Sequence, residues 1–516
     1  MHLPEVGTRL NYSGHLGTVK FVGSVNNTTG VWIGVEWDEA ERGKHDGVKD
    51  NKRYFSCRIP NSGSFIRPSA NISYGISFVD ALVSRYIENP HGSGSQEKVL
   101  LGSSQGAIQL REVSLDKEHV AKSDPPGTIQ NTCPNIRGLD LSLSLLPSWD
   151  EVALITNELL SLQTLALNRT RLDLLNHRNT LQTAFKNLQE LCLNGTLTTW
   201  PEMQYIKLFM PKLRLIEMGY NHLVTLSSDP SSHPVDNSTI EIINLDSNRC
   251  IDWAHVCVSL SKYPSLQRVI LASNQIDTIP LLDSEQQQLT KLKHLALSDN
   301  DLHAWSSVDA LSSWCPALET LTLCGNPILN DTSVGINHRA FVVAKIPTLL
   351  TLDGTAISSR ERTDCEIFYL SYIVKYGPAS EDKRCQAHPR WLDLCNKHGK
   401  PDESDKGKNV QDKLSDRLIE LHLHRCEEAP VNKGVDVSIP SVDTLSLRVL
   451  PTMSLRNLRM KICKTLKRNF TKSTVRCWLR MEDGMLVELE AEQDTRDLDW
   501  LGLENGSHIM YVLKER

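Results

Sequence analysis

The 516-residue chain is 40% hydrophobic and 23% charged with a formal net charge of −6, the mix of a folded multidomain protein with length for about three or four units. That acidic balance gives no electrostatic footing for nucleic acid or an anionic membrane, and no apolar run approaches the roughly 18–20 residues that span a bilayer. Thirteen cysteines, an odd number without Cys-x-x-Cys pairs, and an N-terminus without a basic segment and apolar core fit a reducing, cytoplasmic setting.

The first seventy residues carry the densest signal. Gly30-Val31-Trp32-Ile33-Gly34-Val35-Glu36-Trp37 is followed by Gly43-Lys44-His45-Asp46-Gly47, Tyr54-Phe55 and Gly63-Ser64-Phe65-Ile66-Arg67-Pro68. Glycines between aromatics let backbone and ring faces approach an extended peptide closely. From Arg42 to Arg67 seven Lys and Arg residues face only Asp46 and Asp50, a local balance of +5 against the global sign. A basic patch beside Trp32, Trp37, Phe55 and Phe65 suits a ligand with carboxylates and an aromatic end. The string resembles a CAP-Gly domain, a small β-rich module that reads acidic, aromatic-ended tails. The resemblance implies an α-tubulin tail as ligand, with Lys44 as carboxylate partner, Asp46 holding the loop or contacting an amide, and Arg67 at the rim. The common family loop reads Gly-Lys-Asn-Asp-Gly, so His45 stands where an asparagine is usual and brings pH sensitivity into the loop.

Residues 71–130 read as a connector, with the loop-like runs His91-Gly92-Ser93-Gly94-Ser95 and Lys122-Ser123-Asp124-Pro125-Pro126-Gly127 leaving room for short strands and a helix. Within it Gly102-Ser103-Ser104-Gln105-Gly106 matches the letters of a hydrolase elbow, but the connector is too short for the α/β sheet that motif needs, and we read a loop.

From 131 to 380 an internal repeat sets the fold. Leu162-x-x-Leu165-x-Leu167 with Thr170 recurs as Leu188, Leu191, Leu193 and Thr196, and continues to Leu318, Leu321, Leu323 and Asn326. The closing polar residues are spaced by 26, 25, 27, 26, 26 and 26, with Ser144 another 26 upstream. This resembles the leucine-rich repeat. The leucines point into one continuous core, the closing Asn satisfies backbone groups at the turn, and each copy needs its neighbours. Residues 341–354 resemble the C-terminal cap of such arrays. Residues flanking the buried leucines build the concave face and are candidate contacts: Glu190, Asn194, Glu217, Asn244, Asp246, Arg268, His294 and Thr320. Mixed polar and small residues there fit protein recognition by area and shape.

Residues 381–412, with Lys400-Pro401-Asp402-Glu403-Ser404-Asp405, read as a charged linker. Cys385-x-x-His388 and Cys395-x-x-His398 have spacings that zinc sites use, but only six residues separate the two halves and we assign no metal. Residues 413–516 change pattern. Strands at Ile419–Leu423 and Leu445–Val449, an amphipathic helix at Leu455–Leu466, strands at Val475–Leu479 and Met485–Leu489 around Asp483-Gly484, and a last strand at His508–Leu513 give β-β-α-β-β-β. That order resembles ubiquitin-like β-grasp domains. The chain ends Lys514-Glu515-Arg516, without the Gly-Gly tail of conjugated relatives, which favours a docking module, with the proteasome as one candidate partner.

CAP-Gly, leucine-rich repeats and a ubiquitin-like domain in this order resemble the arrangement of a family of tubulin-folding cofactors. The resemblance implies a non-enzymatic, cofactor-free chaperone that binds α-tubulin and works with cofactors B, C and D and a small Arl-type GTPase on the αβ-tubulin heterodimer, in the cytoplasm and at the cytoskeleton. A microtubule-associated scaffold and a ubiquitin-pathway adaptor remain as alternatives. No phosphate-binding, metalloprotease or dinucleotide motif is present.

Overall fold

The computed structural model describes residues 3–88, 110–173, 182–227, 238–283, 287–330, 337–401, 418–430, 444–466, 468, 473–481 and 484–515. The chain forms two compact units, residues 1–356 and 357–516.

The first unit begins with a five-stranded antiparallel sheet in the order Gly63–Ile66, Val31–Trp37, His15–Ser24, Arg9–Tyr12, Ile72–Ser73. Alternation along Val31–Trp37 sends Ile33, Val35 and Trp37 into a core with Leu10, Val19 and Ile72. Trp32 and Gly34 take the other face. The partner strand carries an irregularity between Val19 and Phe21. Val19 stays in the core while Lys20 pairs with Glu36 and Phe21 lies opposite Gly34, which is how a bulge re-aims a side chain.

An eleven-stranded sheet follows, nine of its strands three residues long and one repeat apart and the last two only two residues long. Leu139, Leu165, Leu191, Ile216, Ile243, Val269, Leu295 and Leu321 lie in one register line, all but unexposed. All pairings are parallel except the last, between Thr351–Leu352 and Thr355–Ala356. The closing asparagines form a ladder. Asn248 donates to the Met218 and Leu245 carbonyls at 2.9 and 3.0 Å and accepts from the Asn221 and Leu223 amides at 3.0 Å each; Asn274, Asn300 and Asn326 repeat the donor pattern one turn on. On the opposite side, helices Trp149–Asn157, Trp200–Lys207, Trp253–Leu260 and Trp305–Trp314 bury Trp149, Trp200, Trp253 and Trp314.

The connector expected at 71–130 carries short strands and a helix, for which it left room. Within 71–130, strand Glu112–Ser114 pairs in parallel with Gly138–Asp140 and extends the repeat sheet, burying Val113 and Leu115. Ile76–Ser77 pairs with Val120–Lys122, and helix Phe78–Val83 buries Phe78, Ala81 and Leu82. A solenoid must cover its first repeat, and this segment does so; Leu110, Val113, Leu115 and Glu118 stand 26 residues before Ile136, Leu139, Leu141 and Ser144, so it adds one further copy of the repeat, closed by Glu118 instead of a small polar residue. His91–Ser95 and Gly102–Gly106 lie outside the described residues.

The linker expected at 381–412 needs correction. Helices Glu381–Ala387 and Trp391–His398 occupy its first half and bury Arg384, Trp391 and Leu394. They pack with Ser359–Tyr376, which belongs to the second unit rather than to the repeat cap. Glu366 anchors the group. Burial pushes its carboxyl up, but Lys397 and His398, each donating at 2.7 Å, outweigh that and hold it below its ordinary range. Charge at the surface of these helices masks their small core in composition.

The C-terminal residues form a five-stranded sheet ordered Thr444–Val449, Ile419–Arg425, His508–Glu515, Ser473–Arg480, Leu486–Leu489. Helix Leu455–Thr465 packs Leu455, Leu458 and Ile462 against Leu421, Leu423, Val475, Cys477 and Ile509. This is the expected β-grasp; Asp483 of the expected turn is outside the described residues, and Gly484 has φ 83°.

Candidate peptide-binding groove

On the face of the first sheet opposite its core, half-buried rings converge. Phe65 is the hub, within 5.0–6.5 Å of the rings of Phe21, Trp32, His45, Tyr54 and Phe55. These are edge-on and tilted contacts of the kind aromatic quadrupoles favour. Gly34 makes the approach possible: a Cβ there would lie 2.5 Å from Phe55 Cε1. Trp37, expected among these rings, is not. It is 2% exposed on the core face, beside Tyr12 and with the Arg42 guanidinium 4.3 Å from its ring centroid. Strand alternation separates it from Trp32, five residues earlier.

Cations rim the rings. The Arg67 guanidinium lies 3.8 Å from the Trp32 centroid, Lys49 at 5.9 Å from the same ring, and Lys52 at 5.0 Å from Tyr54. Lys44 is exposed, its backbone amide tied to the Gly63 carbonyl at 2.8 Å. The loop itself is built by Asp46, which accepts from Arg53 at 2.9 Å and from the Cys57 amide at 3.0 Å. Those two bonds, Arg53 first, hold its carboxyl below the usual carboxylate range. Asp46 is thus spent on the loop. Gly47 has φ 74°, and a Cβ there would sit 2.1 Å from the Phe55 carbonyl oxygen, so no other residue fits.

His45 lies at the centre of this loop. Its Nδ1 accepts from the Gly47 amide at 3.0 Å, which requires that nitrogen to be unprotonated. Burial depresses its pKa; Asp46 opposes that, and Lys44 and Lys49 add to it. Two members went unassigned in the sequence, Phe21 and Tyr54. Tyr54, whose hydroxyl accepts from the Asn26 amide at 2.8 Å, was readable in Tyr54-Phe55; Phe21 enters through the strand irregularity, which has no sequence signal.

The eight repeat residues fall into three columns. Glu190, Arg268, His294 and Thr320 stand in the first strand column and Glu217 and Asn244 in the next, with Asn194 and Asp246 beyond it. Asn194 is largely committed: it donates to Glu217 at 2.8 Å and accepts from the Gly219 amide at 2.7 Å. Asp246 is raised by burial and then by Glu217. Leu215, Ile242 and Ile270 interleave with these polar groups, so the face alternates apolar and charged. Of the zinc-spaced residues, His388 meets the Tyr369 hydroxyl at 2.9 Å and His398 meets Glu366. Among the described residues no group of three or more His, Cys, Asp or Glu is arranged to hold a metal ion. Nor is any helix among them long and apolar enough to cross a membrane.

Comparison with known proteins agrees with this architecture. The CAP-Gly domain family model matches residues 6–71. The chain is 30% identical to tubulin-specific chaperone E of Danio rerio, over 98% of both chains. It is 29% identical to tubulin-folding cofactor E of Arabidopsis thaliana, over 97% of this chain and 96% of that one. Among solved structures, the C-terminal ubiquitin-like domain of mouse tubulin-specific chaperone e is 16% identical, covering 19% of this chain and 90% of that one with a TM-score of 0.15.

Proposed function

The chain belongs to the tubulin-specific chaperone E family, and on that premise we propose that it is a cytoplasmic, non-enzymatic tubulin-folding chaperone whose N-terminal groove captures the acidic C-terminal tail of α-tubulin. The observation that carries this is the ring cluster around Phe65 edged by Lys44, Lys49, Lys52 and Arg67. An aromatic-ended tail inserts its ring among the edge-on aromatics. Its carboxylates meet cations in charge-assisted bonds, each about 1.5–3 kcal/mol when well placed. Of the expected contacts Lys44 and Arg67 supply charge, Trp32, Phe55 and Phe65 supply ring surface, and Asp46 and His45 shape the loop. Trp37 supports the groove from the other face.

The concave face of the repeats holds the tubulin body through Glu190, Glu217, Asp246, Arg268, His294 and their apolar neighbours. With the tail already held, this second contact becomes intramolecular, so two modest affinities give tight overall binding. Work on the heterodimer interface comes from preferential binding of separated α-tubulin, since a chaperone shifts that equilibrium only by its differential affinity. Cofactors B, C and D and an Arl-type GTPase are the partners this role calls for, with the GTP chemistry on tubulin or the GTPase. The ubiquitin-like domain is a docking module, with the proteasome as its candidate partner.

The test mixes the full chain with αβ-tubulin or with tubulin lacking its C-terminal tails and follows complexes by analytical ultracentrifugation. Tail removal and Lys44→Ala should each weaken complex formation, and an α-tubulin complex should grow at the expense of dimer. Undiminished binding in both cases would move recognition away from the groove.

A further inference from the structure

A second recognition site lies where the N-terminal sheet meets the solenoid. A cleft of about 530 Å³ opens there between the Asp38 end of the sheet and the first repeats. Its walls carry Lys117, Arg169 and Arg171, with His119, against Asp38 and Glu39. Asp38 is compensated: it accepts from Arg9 at 2.7 Å and has the Arg171 guanidinium 3.9 Å away. Glu39 is hydrogen-bonded to His15 at 2.8 Å and leaves one negative charge against Lys117 and Arg169. Lys117 and Arg169 are exposed, and among the described residues neither side chain forms an ion pair. The net charge of the cleft is therefore positive.

The backbone sets where these side chains stand. Lys117, Leu143, Arg169, Gly195, Tyr220, Ser247, Ser273, Asp299 and Gly325 occupy the same position of successive repeats, and all have φ between 51° and 81°. This left-handed position favours Gly and, less strongly, Asn and Asp, and the later repeats use Tyr, Ser, Asp and Gly there. At this position Lys117 and Arg169 line the cleft together with Leu143 and Gly195.

We infer that this cleft binds an acidic peptide segment of a partner protein, with Lys117 and Arg169 as its carboxylate partners and Arg171 as the fixed charge behind them. The site is separate from the aromatic groove. Asp38 lies six residues along from Trp32, ~20 Å of extended strand, and the cleft has no exposed ring, so it reads charge without an aromatic end.

The probe is a capped, fluorescein-labelled octaglutamate, titrated by anisotropy into the full chain at low and moderate salt. Glycine is the substitution of choice, because the chain itself places Gly195 and Gly325 at this backbone position. Lys117→Gly with Arg169→Gly should weaken binding by about tenfold, and Lys117→Asp with Arg169→Asp should abolish it, with thermal unfolding unchanged in both. Lys44→Ala should leave the affinity as it is, and added salt should lower it. Loss of binding with Lys44→Ala but not with the cleft variants would put the peptide in the groove and overturn the inference, as would absence of binding at low salt. Absence of binding leaves tail capture by the groove untouched, because the probe lacks an aromatic end.

Discussion

At the scale of single residues, the groove depends on positions where one atom decides the outcome. Gly34→Ala puts a methyl 2.5 Å from Phe55 Cε1 and 2.9 Å from Phe21 Cβ. The rings must move apart, at about 1–3 kcal/mol for an overpacked site. Thermal unfolding should report that loss, and an aromatic-ended acidic peptide should bind more weakly; an unchanged midpoint would show that the cluster is looser than its contacts imply. His45 makes a different prediction. Its folded pKa lies below the ordinary 6.5, chiefly through burial, so the folded loop binds fewer protons than the unfolded chain. Its contribution is complete above pH 6.5 and is lost as the pH falls through the lowered folded value. Protonation also removes the Nδ1 acceptor of the Gly47 amide. Hydrogen exchange of peptides spanning 43–57, corrected for intrinsic rate, should therefore accelerate as the solution is acidified. His45→Asn keeps an oxygen acceptor that does not titrate and should flatten the profile; equal profiles would mean that His45 does not gate the loop.

At the scale of elements, the asparagine ladder is the clearest case of sequence dictating structure. Asn274 is 6% exposed, donates to the Leu245 and Leu271 carbonyls at 3.0 and 3.1 Å, and accepts from the Cys250 amide at 3.0 Å. Asn274→Ala leaves buried backbone groups unpaired, at about 2–4 kcal/mol for the set. Asn274→Thr should cost less, because the chain already uses Thr196 at this position, where Oγ1 donates to the Leu193 carbonyl at 2.9 Å. The chemical-unfolding midpoint should fall in that order; equal midpoints would deny the ladder its role. Such periodic demands were legible without coordinates, as were the β-grasp order and most of the aromatic groove, because each rests on spacing that one side chain repeats. The illegible parts have another physics. Glu112–Ser114 keeps the repeat spacing in Leu110, Val113 and Leu115, but Glu118 closes it where the other copies use Ser, Thr or Asn, which hides the copy. Glu381–His398 hides Trp391 and Leu394 behind charged surface. Trp37 was placed with the wrong rings because a string of aromatics does not declare which face each occupies, and Phe21 joined the right ones through an irregularity of pairing.

At the scale of the first unit, the mounting of the N-terminal sheet on the solenoid links the two proposed contacts with tubulin. Arg9 is 1% exposed and pairs with Asp38; Arg171, from the second repeat, donates to the Asp38 carbonyl oxygen at 3.3 Å, and Arg58 pairs with Asp173 at 3.1 Å. The Arg58–Asp173 pair is exposed enough to contribute little, about 0–1 kcal/mol. Arg171 matters more: burial pushes its pKa down while Asp38 opposes that, so its charge is kept in place by the carboxylate it serves. A fixed mount sets how far the captured tail can stray from the repeat face, and effective concentration falls as that freedom grows. Arg171→Glu places a carboxylate against Asp38 and should release the mount without touching the ring cluster. A tail peptide should then bind the variant as it binds the parent, while intact αβ-tubulin binds it about tenfold more weakly. Equal losses for peptide and protein would mean that the substitution damages the groove itself, and no loss for either would mean that the two surfaces act independently of how they are joined.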